Sequence, residues 1–522
     1  MEYHDKLKMA QKVQRRGPDK TLVHMHPFFF MVFHRLAFHD LSPLGDQPFI
    51  FHNGDETAYL MANGEMYNYR EIIQKHDLRM RSDSDCEVIY HLYKKLGVPR
   101  LLEELDGEFA FVMVVTARGR VVEIVAARDP YGVRPLFYAE TDEGIYFSSL
   151  AQGIPATVAT MPFPPSCGMT YACGTRTWCP YATLSVSEVF VAPAHRVLTG
   201  LFIEAVRKRT TGERPLACLL SGGLDSSLVC GVMAGVLGFK DLDTFTIGME
   251  GSTDMVFAKE VADFLGTRHH EVTFTAQEGL DIIDEVIRAC ETWDITTIRA
   301  SVPQFLLARY ISEKTEFRAV LNGDGADEAQ MGYLYWYNAP SRLEAHLESL
   351  RRVKDIYLYD GLRVDRCLGW FGLEARLPFL DRAFVEYLLG TRIESRVPGK
   401  EGRMEKHLVR EAFSKVYPDI LPKSVLWRKK EAFSDGVSSR EHSWFAILRK
   451  EMETRVSDEE FLDRDLGFPE TPPTKEAYYY QKKFLEYFGK SRTTLIPEYW
   501  MPKWSDNTHE PSARVLSVYN DS

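Results

Sequence analysis

No stretch of this sequence approaches the roughly 18 consecutive apolar residues that a membrane-spanning helix needs. The longest early cluster, Phe28-Phe29-Phe30-Met31-Val32-Phe33, suits a buried strand instead. A secretory leader is also missing, because Met1-Glu2-Tyr3-His4-Asp5-Lys6 mixes charges and has no apolar core. There is no basic excess: 63 Lys and Arg face 74 Asp and Glu, a net charge of −11, which argues against a surface built to wrap nucleic acid. Cysteine is sparse at 8 residues, and none forms a CxxC pair. Cys167, Cys173 and Cys179 are evenly spaced but have no His among them, so reduced structural thiols are expected rather than a metal site. Internal repeats and low-complexity tracts are absent. Together these absences predict a cytoplasmic protein with no nucleic-acid and no membrane partner.

What is present is the composition of a folded chain, 45% hydrophobic and 26% charged. At about 150 residues per domain, 522 residues predict two to four domains. Proline is densest at positions 155, 162, 164, 165, 180 and 193, which places a domain boundary near residue 190. The expected domains are therefore 1–190 and 191–522. The first carries short apolar runs, Phe29–Phe33, Phe109–Val115, Val121–Ala127 and Ile145–Phe147, separated by turn residues, and reads as mostly strands with a helix over Cys86–Leu96. In this part Asn63-Gly64 reads as a hairpin turn.

The second part alternates. Leu216–Leu220, Thr244–Ile247, His270–Phe274 and Ala319–Leu321 read as strands. Between them, Ser226–Leu237 and Asp254–Leu265 read as helices, the latter with Phe257, Val261, Phe264 and Leu265 on one face. Such alternation predicts an α/β parallel sheet covered on both faces, with ligands at the carboxyl ends of its strands.

Two loops stand at such ends. Ser221-Gly222-Gly223-Leu224-Asp225-Ser226-Ser227 joins a strand to a helix. Its glycines permit a sharp turn, its backbone N–H groups and the helix N-terminus favour anions, and its hydroxyls add donors, so it predicts a pyrophosphate cradle. Asp225 would repel phosphate unless a bridging Mg²⁺ is held there. The second loop, Asn322-Gly323-Asp324-Gly325-Ala326-Asp327-Glu328, offers three carboxylates for metal or acid–base work. Gly489-Lys490-Ser491 imitates a Walker loop, but Phe484 stands where that motif requires Gly, so an ordinary loop is expected.

The first loop matches the pyrophosphate loop of N-type ATP pyrophosphatases. Further motifs narrow the likeness: Arg16-Gly17-Pro18-Asp19, His34-Arg35-Leu36-Ala37, Asn63-Gly64-Glu65-Met66-Tyr67-Asn68, Ser84-Asp85-Cys86-Glu87, Arg128–Leu136, Glu374–Asp381, Lys430–Gly436 and Tyr499–Trp504. Across essentially its whole length the chain resembles the glutamine-hydrolysing asparagine synthetases, close to the animal form. The resemblance implies an N-terminal Ntn-type α-β-β-α glutaminase feeding ammonia to a C-terminal α/β synthetase. There aspartate is adenylated by MgATP to β-aspartyl-AMP, and ammonia displaces AMP to give asparagine. It implies ATP and Mg²⁺ as cofactors and aspartate, ATP and glutamine or ammonia as small-molecule partners, and it raises homodimerisation as an expectation.

Residue by residue, the resemblance assigns Ser221, Gly222, Gly223, Asp225, Ser226 and Ser227 to the phosphates and Leu219 and Ile247 to the nucleoside. Asn322 and Gly323 also touch ATP. Asp225 and Asp327 become Mg²⁺ ligands, and Lys430 stabilises charge on the α-phosphate. Thr296, Thr297 and Arg299 lie near aspartate and pyrophosphate. Asp324 stands where the family has a Glu that assists ammonia attack, one methylene longer. On the glutaminase side, Arg35 takes the glutamine carboxylate and Asp85 its ammonium, with Glu65 beside them. The Asn63 amide and the Gly64 N–H form an oxyanion hole.

One departure concerns the start. The family begins Met-Cys-Gly-Ile and uses that Cys as nucleophile with its own α-amino group as base. Here the sequence begins Met1-Glu2-Tyr3-His4, the first Cys is Cys86, and the family's first strand has no counterpart. Either the true start lies upstream, or the glutaminase is dead and ammonia comes from solution. Retention of Arg35, Asn63 and Asp85 favours the first. Rival readings are a β-lactam synthetase-like enzyme, disfavoured by the C-terminal motifs, and a silent binding protein, disfavoured by Ser221, Asp225, Asp327 and Lys430.

Overall fold

The computed structural model describes residues 3–182, 184, 190–399, 402–505, 509–516 and 518. Met1 and Glu2 lie outside them. The chain forms two compact units, one of residues 1–183 with 211–214 and 369–372, the other of the remainder. Among the described residues no helix is long and apolar enough to cross a membrane.

The first unit is built on a six-stranded antiparallel sheet of β3 (Phe49–Asn53), β4 (Glu56–Met66), β5 (Gly107–Ala117), β6 (Arg120–Arg128), β10 (Cys167–Ala172) and β11 (Thr175–Pro180), in spatial order β11-β10-β6-β5-β4-β3. Central β5 is buried on both faces, which explains its unbroken run of apolar residues. Alternate residues Phe109, Phe111, Met113 and Val115 face one side, with Leu60 of β4, against Ile72, Val88, Ile89, Leu92 and Leu101 of the helices Tyr69–His76, Val88–Leu96 and Val98–Glu104. The other face carries two smaller sheets. β1 (Lys20–His26) and β2 (Phe29–Arg35) place Met31 on Tyr59 and Val114. β7 (Phe137–Thr141), β8 (Gly144–Ser148) and β9 (Met161–Pro162) bring Tyr138 and the neighbouring Leu136 and Phe163 onto Ala110 and Ala126. Helix Tyr3–Gln11 meets β2 where His34 Nε2 lies 2.9 Å from the Ala10 carbonyl. The layers are thus helix, sheet, sheet, helix. Asn63-Gly64 is not a hairpin turn; both residues lie within β4, opposite Ala110 and Phe109 of β5.

The second unit is built on a five-stranded parallel sheet of β12 (Leu216–Leu219), β13 (Asp243–Gly248), β14 (Arg268–Thr273), β15 (Ala319–Leu321) and β16 (Glu374–Arg376), in order β14-β13-β12-β15-β16. Every residue of β13 and β15 is buried, as a sheet covered on both faces requires. Helix Thr253–Leu265 begins where Ser252 Oγ accepts from the Met255 N–H. Its inward face is Ala258, Val261 and Ala262, while Phe264 is exposed, so the apolar face read from the sequence is displaced. Small residues win that face because the helix lies close against the sheet and phosphate loop.

Candidate functional site

From β12 the chain runs first to one side of the parallel sheet and then, through β15, to the other. The crevice at such a reversal is where open α/β sheets take ligands. β12 and β15 pair directly, with Cys218 opposite Leu321, so the 221–227 and 322–328 loops leave the sheet side by side. A Cβ on Gly323 would lie 2.6 Å from the Ser226 nitrogen, so this close approach demands glycine. Gly222 has φ +74°, and a Cβ there would meet the Ala258 nitrogen at 2.4 Å.

The phosphate loop is pinned from within and from outside. Ser226 Oγ accepts from Ser221 N–H at 3.1 Å, and Ser221 Oγ from Gly223 N–H at 3.3 Å. Arg428 donates to the Gly222 carbonyl at 3.0 Å and to Asp254 at 2.8 Å. Helix Leu224–Gly231 starts inside the loop and directs its N-terminus at the crevice.

Two carboxylates and two ammonium groups meet there. Lys406 Nζ binds Asp225 and also lies 2.6 Å from Asp327 Oδ1, while Lys430 Nζ lies 2.6 Å from Asp327 Oδ2. Burial opposes ionisation of Asp327, but the two lysines outweigh it and hold its carboxyl at about 2. Burial likewise disfavours the Lys430 ammonium, and Asp327 and Asp225 reverse this, raising its pKa. Lys406 escaped the sequence reading. It sits in the left-handed region at φ +58°, just before helix His407–Val416, and no local pattern marks it.

Leu219, Ser221, Gly223, Asp225, Ser226, Ile247, Asn322 and Gly323 line one cavity, and Gly222 and Ser227 do not. Thr296 and Arg299 line a second. Asp324, Asp327, Arg363 and Lys430 line both, so the two cavities share a wall of charge. Arg363, also absent from the sequence reading, donates to Asp324 at 2.8 Å and to Asp360 at 2.7 Å. Burial raises the Asp324 pKa against the pull of Arg363. Thr297 lies elsewhere: its N–H and hydroxyl both donate to Asp294, the cap of helix Ile295–Lys314, at 2.7 Å. The other Asp294 oxygen accepts from the Trp500 backbone N–H at 2.6 Å, and Trp500 lines the second cavity.

In the first unit, Glu65 and Asp85 come together at the end of β4. His39 Nε2 lies 2.7 Å from Glu65, and Met66 N–H donates to Asp85 at 2.6 Å. The Asn63 side-chain nitrogen beside them is buried without a partner, as a donor awaiting an anion would be. Arg35 donates to Asp46 at 2.7 Å and to the Ser42 carbonyl at 2.8 Å.

Comparison with known proteins agrees with both units. The family model described as asparagine synthase matches residues 198–351 and 340–511, and that described as glutamine amidotransferase domain matches residues 2–166. The glutamine-hydrolysing asparagine synthetase of Cricetulus griseus is 40% identical over 550 aligned positions, covering 98% of this chain and 96% of that protein. That of Homo sapiens shares the same identity and coverage. That of Gallus gallus is 37% identical, again with 98% and 96% covered. The chain therefore belongs to the asparagine synthase family.

Proposed function

We propose that this protein is a ligase that converts L-aspartate and ATP to L-asparagine, AMP and pyrophosphate. The observation that carries the reading is the shared wall of Asp324, Asp327, Arg363 and Lys430 between the phosphate-loop cavity and its neighbour. It allows a nucleotide α-phosphate and an amino-acid carboxylate to meet at one group of charges.

The loop amides of 221–227 hold the terminal phosphates, and Leu219 and Ile247 hold the nucleoside. The donor set fits Mg²⁺: Asp225 Oδ1 is buried without a hydrogen-bond partner, and Asp327 faces it across Lys406. Asp225 and Asp327 would hold Mg²⁺, which would supply positive charge to neutralise the phosphates. Lys430 stabilises the charge that develops as the aspartate side-chain carboxylate attacks the α-phosphorus and the bond to pyrophosphate breaks. Ammonia then attacks the acyl carbon, AMP leaves, and the nitrogen loses one proton. Asp324, held by Arg363 in both cavities, accepts that proton.

For the 522-residue chain the proposed nitrogen donor is ammonia. The thiol at the glutamine clamp, Cys86, donates to the Gly64 carbonyl at 3.4 Å, and its own nitrogen is an amide, not a base. A cytoplasmic location and a homodimer belong to the same proposal, to be checked by fractionation and light scattering. The main test is aspartate-dependent pyrophosphate release, with asparagine measured from ammonium chloride and from ammonia-free glutamine. Asp225→Asn should lower release at least about 100-fold. Near-normal release by that variant removes Asp225 from the metal site.

A further inference from the structure

Among the described residues, those lining the second cavity include no uncommitted cation with which to receive a dicarboxylate. Lys430 is paired with Asp327 at 2.6 Å, and Arg363 with Asp324 and Asp360 at 2.8 and 2.7 Å. Arg299 is doubly paired. Glu476 takes it through Nε at 2.8 Å and Nη2 at 2.7 Å, and Glu510 takes Nη1 and, at 3.1 Å, Nη2. Two carboxylates on one guanidinium leave that cluster with a surplus negative charge. An incoming dicarboxylate adds to it, unless one resident carboxylate leaves as another arrives.

The two partners of Arg299 differ in how firmly they are held. Glu476 is 2% exposed, sits in helix Lys475–Phe488 and also accepts from the Tyr480 hydroxyl at 2.9 Å. Glu510 is 14% exposed and comes from an extended segment near the C-terminus. Ser512 N–H also donates to Glu510 at 2.9 Å, but the segment has further anchors that do not involve Glu510. Ser512 Oγ donates to Asp435 at 2.7 Å, and Arg514 binds Glu431 at 2.7 Å and the Ser439 carbonyl at 2.9 Å. Pro511, Ser512, Ala513 and Leu516 line the cavity. Departure of Glu510 from Arg299 therefore costs the segment its Ser512 N–H contact, while the anchors at Asp435, Glu431 and Ser439 keep the wall in place.

We propose that Glu510 occupies the place of a substrate carboxylate on Arg299, and that a dicarboxylic amino acid binds by displacing it, its α-carboxylate taking over the guanidinium. The inference rests on reading this cavity as the aspartate site, and deepens that reading. The exchange keeps the charge on Arg299 constant. It leaves the substrate's other carboxylate free to reach the wall shared with the phosphate-loop cavity. Glu510 is then a specificity-determining residue: a ligand without a carboxylate gains nothing by displacing it.

The test is steady-state pyrophosphate release by the full chain and its Glu510→Gln variant, with aspartate and ATP varied separately. The variant removes the competing charge and leaves Arg299 its bidentate partner Glu476. Its KM for aspartate is expected to fall about tenfold, with the KM for ATP within about twofold. A merely structural counter-ion would move the melting temperature but not the aspartate KM selectively. An aspartate KM that is unchanged or raised, while the wild type releases pyrophosphate normally, overturns the inference and makes Glu510 a fixed partner or an ammonium ligand. Absence of aspartate-dependent release by the wild type overturns the site reading, and this inference with it. Hydrogen exchange supplies the second measurement. The Ser512 amide, released when Glu510 leaves, should exchange faster with saturating aspartate and a non-hydrolysable ATP analogue, and protection there also overturns the proposal.

Discussion

At the scale of single residues, Glu328 reports most directly on the electrostatics of the site. Its carboxyl is buried, and burial, with Asp360 and Asp327 nearby, pushes its pKa up to about 8. Tyr333 Oη lies 2.5 Å from Glu328 and 2.9 Å from Asp360, yet a phenol has one proton. A protonated Glu328 resolves this by donating to Tyr333, which donates to Asp360. The sign of the pH effect follows. The unfolded chain ionises this group above its ordinary value of 4.5, whereas the folded chain resists until about 8. Its contribution to stability is therefore full below 4.5 and is lost as pH rises towards 8, by at most about 1.4 kcal/mol per pH unit. Glu328→Gln keeps the neutral form and should flatten the fall in melting temperature across that window. Adenylation at neutral pH should stay within about threefold of wild type. An unaltered pH profile of stability in the variant would show that Glu328 is ionised in the native protein.

At the scale of elements, the strand-end loops govern the site because their backbones touch. Gly323→Ala forces a Cβ to within 2.6 Å of the Ser226 nitrogen and 2.8 Å of the Asp225 carbonyl carbon, both backbone atoms that cannot rotate aside. The variant should lose about 1–3 kcal/mol of stability and show a raised KM for ATP, because the phosphate loop must shift to admit the methyl group. Calorimetry with ATP kinetics decides it, and an unchanged KM would mean that the loop moves freely. This contact also marks where the sequence stops being legible. The 221–227 loop is readable because strand, glycines and helix start follow one another in the chain. Lys406 and Arg363 are not, because Lys406 reaches Asp225 from 181 residues away and Arg363 reaches Asp324 from 39. Asn63-Gly64 carries a turn signature but sits inside β4, where pairing with β5 overrides local preference. Phe264 suggests an inward face by periodicity, yet alanine occupies that face because the approach is close.

At the scale of the whole molecule, the candidate site residues are divided between two units, each with its own sheets and buried residues. Asp225, Asp324, Asp327, Lys406 and Lys430 all belong to the second, and Arg35, Asn63, Glu65 and Asp85 to the first. When ammonium is supplied directly, the proposed reaction calls only on the second set. Arg35→Ala removes a buried cation and leaves Asp46, its partner at 2.7 Å, without it, so the first unit should lose stability. Ammonium-dependent asparagine formation should nevertheless stay within about twofold of wild type, as expected for units with separate cores. Asp85→Asn should behave alike, without a buried cation at stake. The measurement is asparagine formed per enzyme at saturating ammonium chloride, aspartate and ATP, beside a melting curve. A tenfold or greater loss in both variants would mean that first-unit residues take part in the synthetase chemistry itself. A loss in Arg35→Ala alone, following its melting temperature, would mean instead that the first unit must be folded for the second to work.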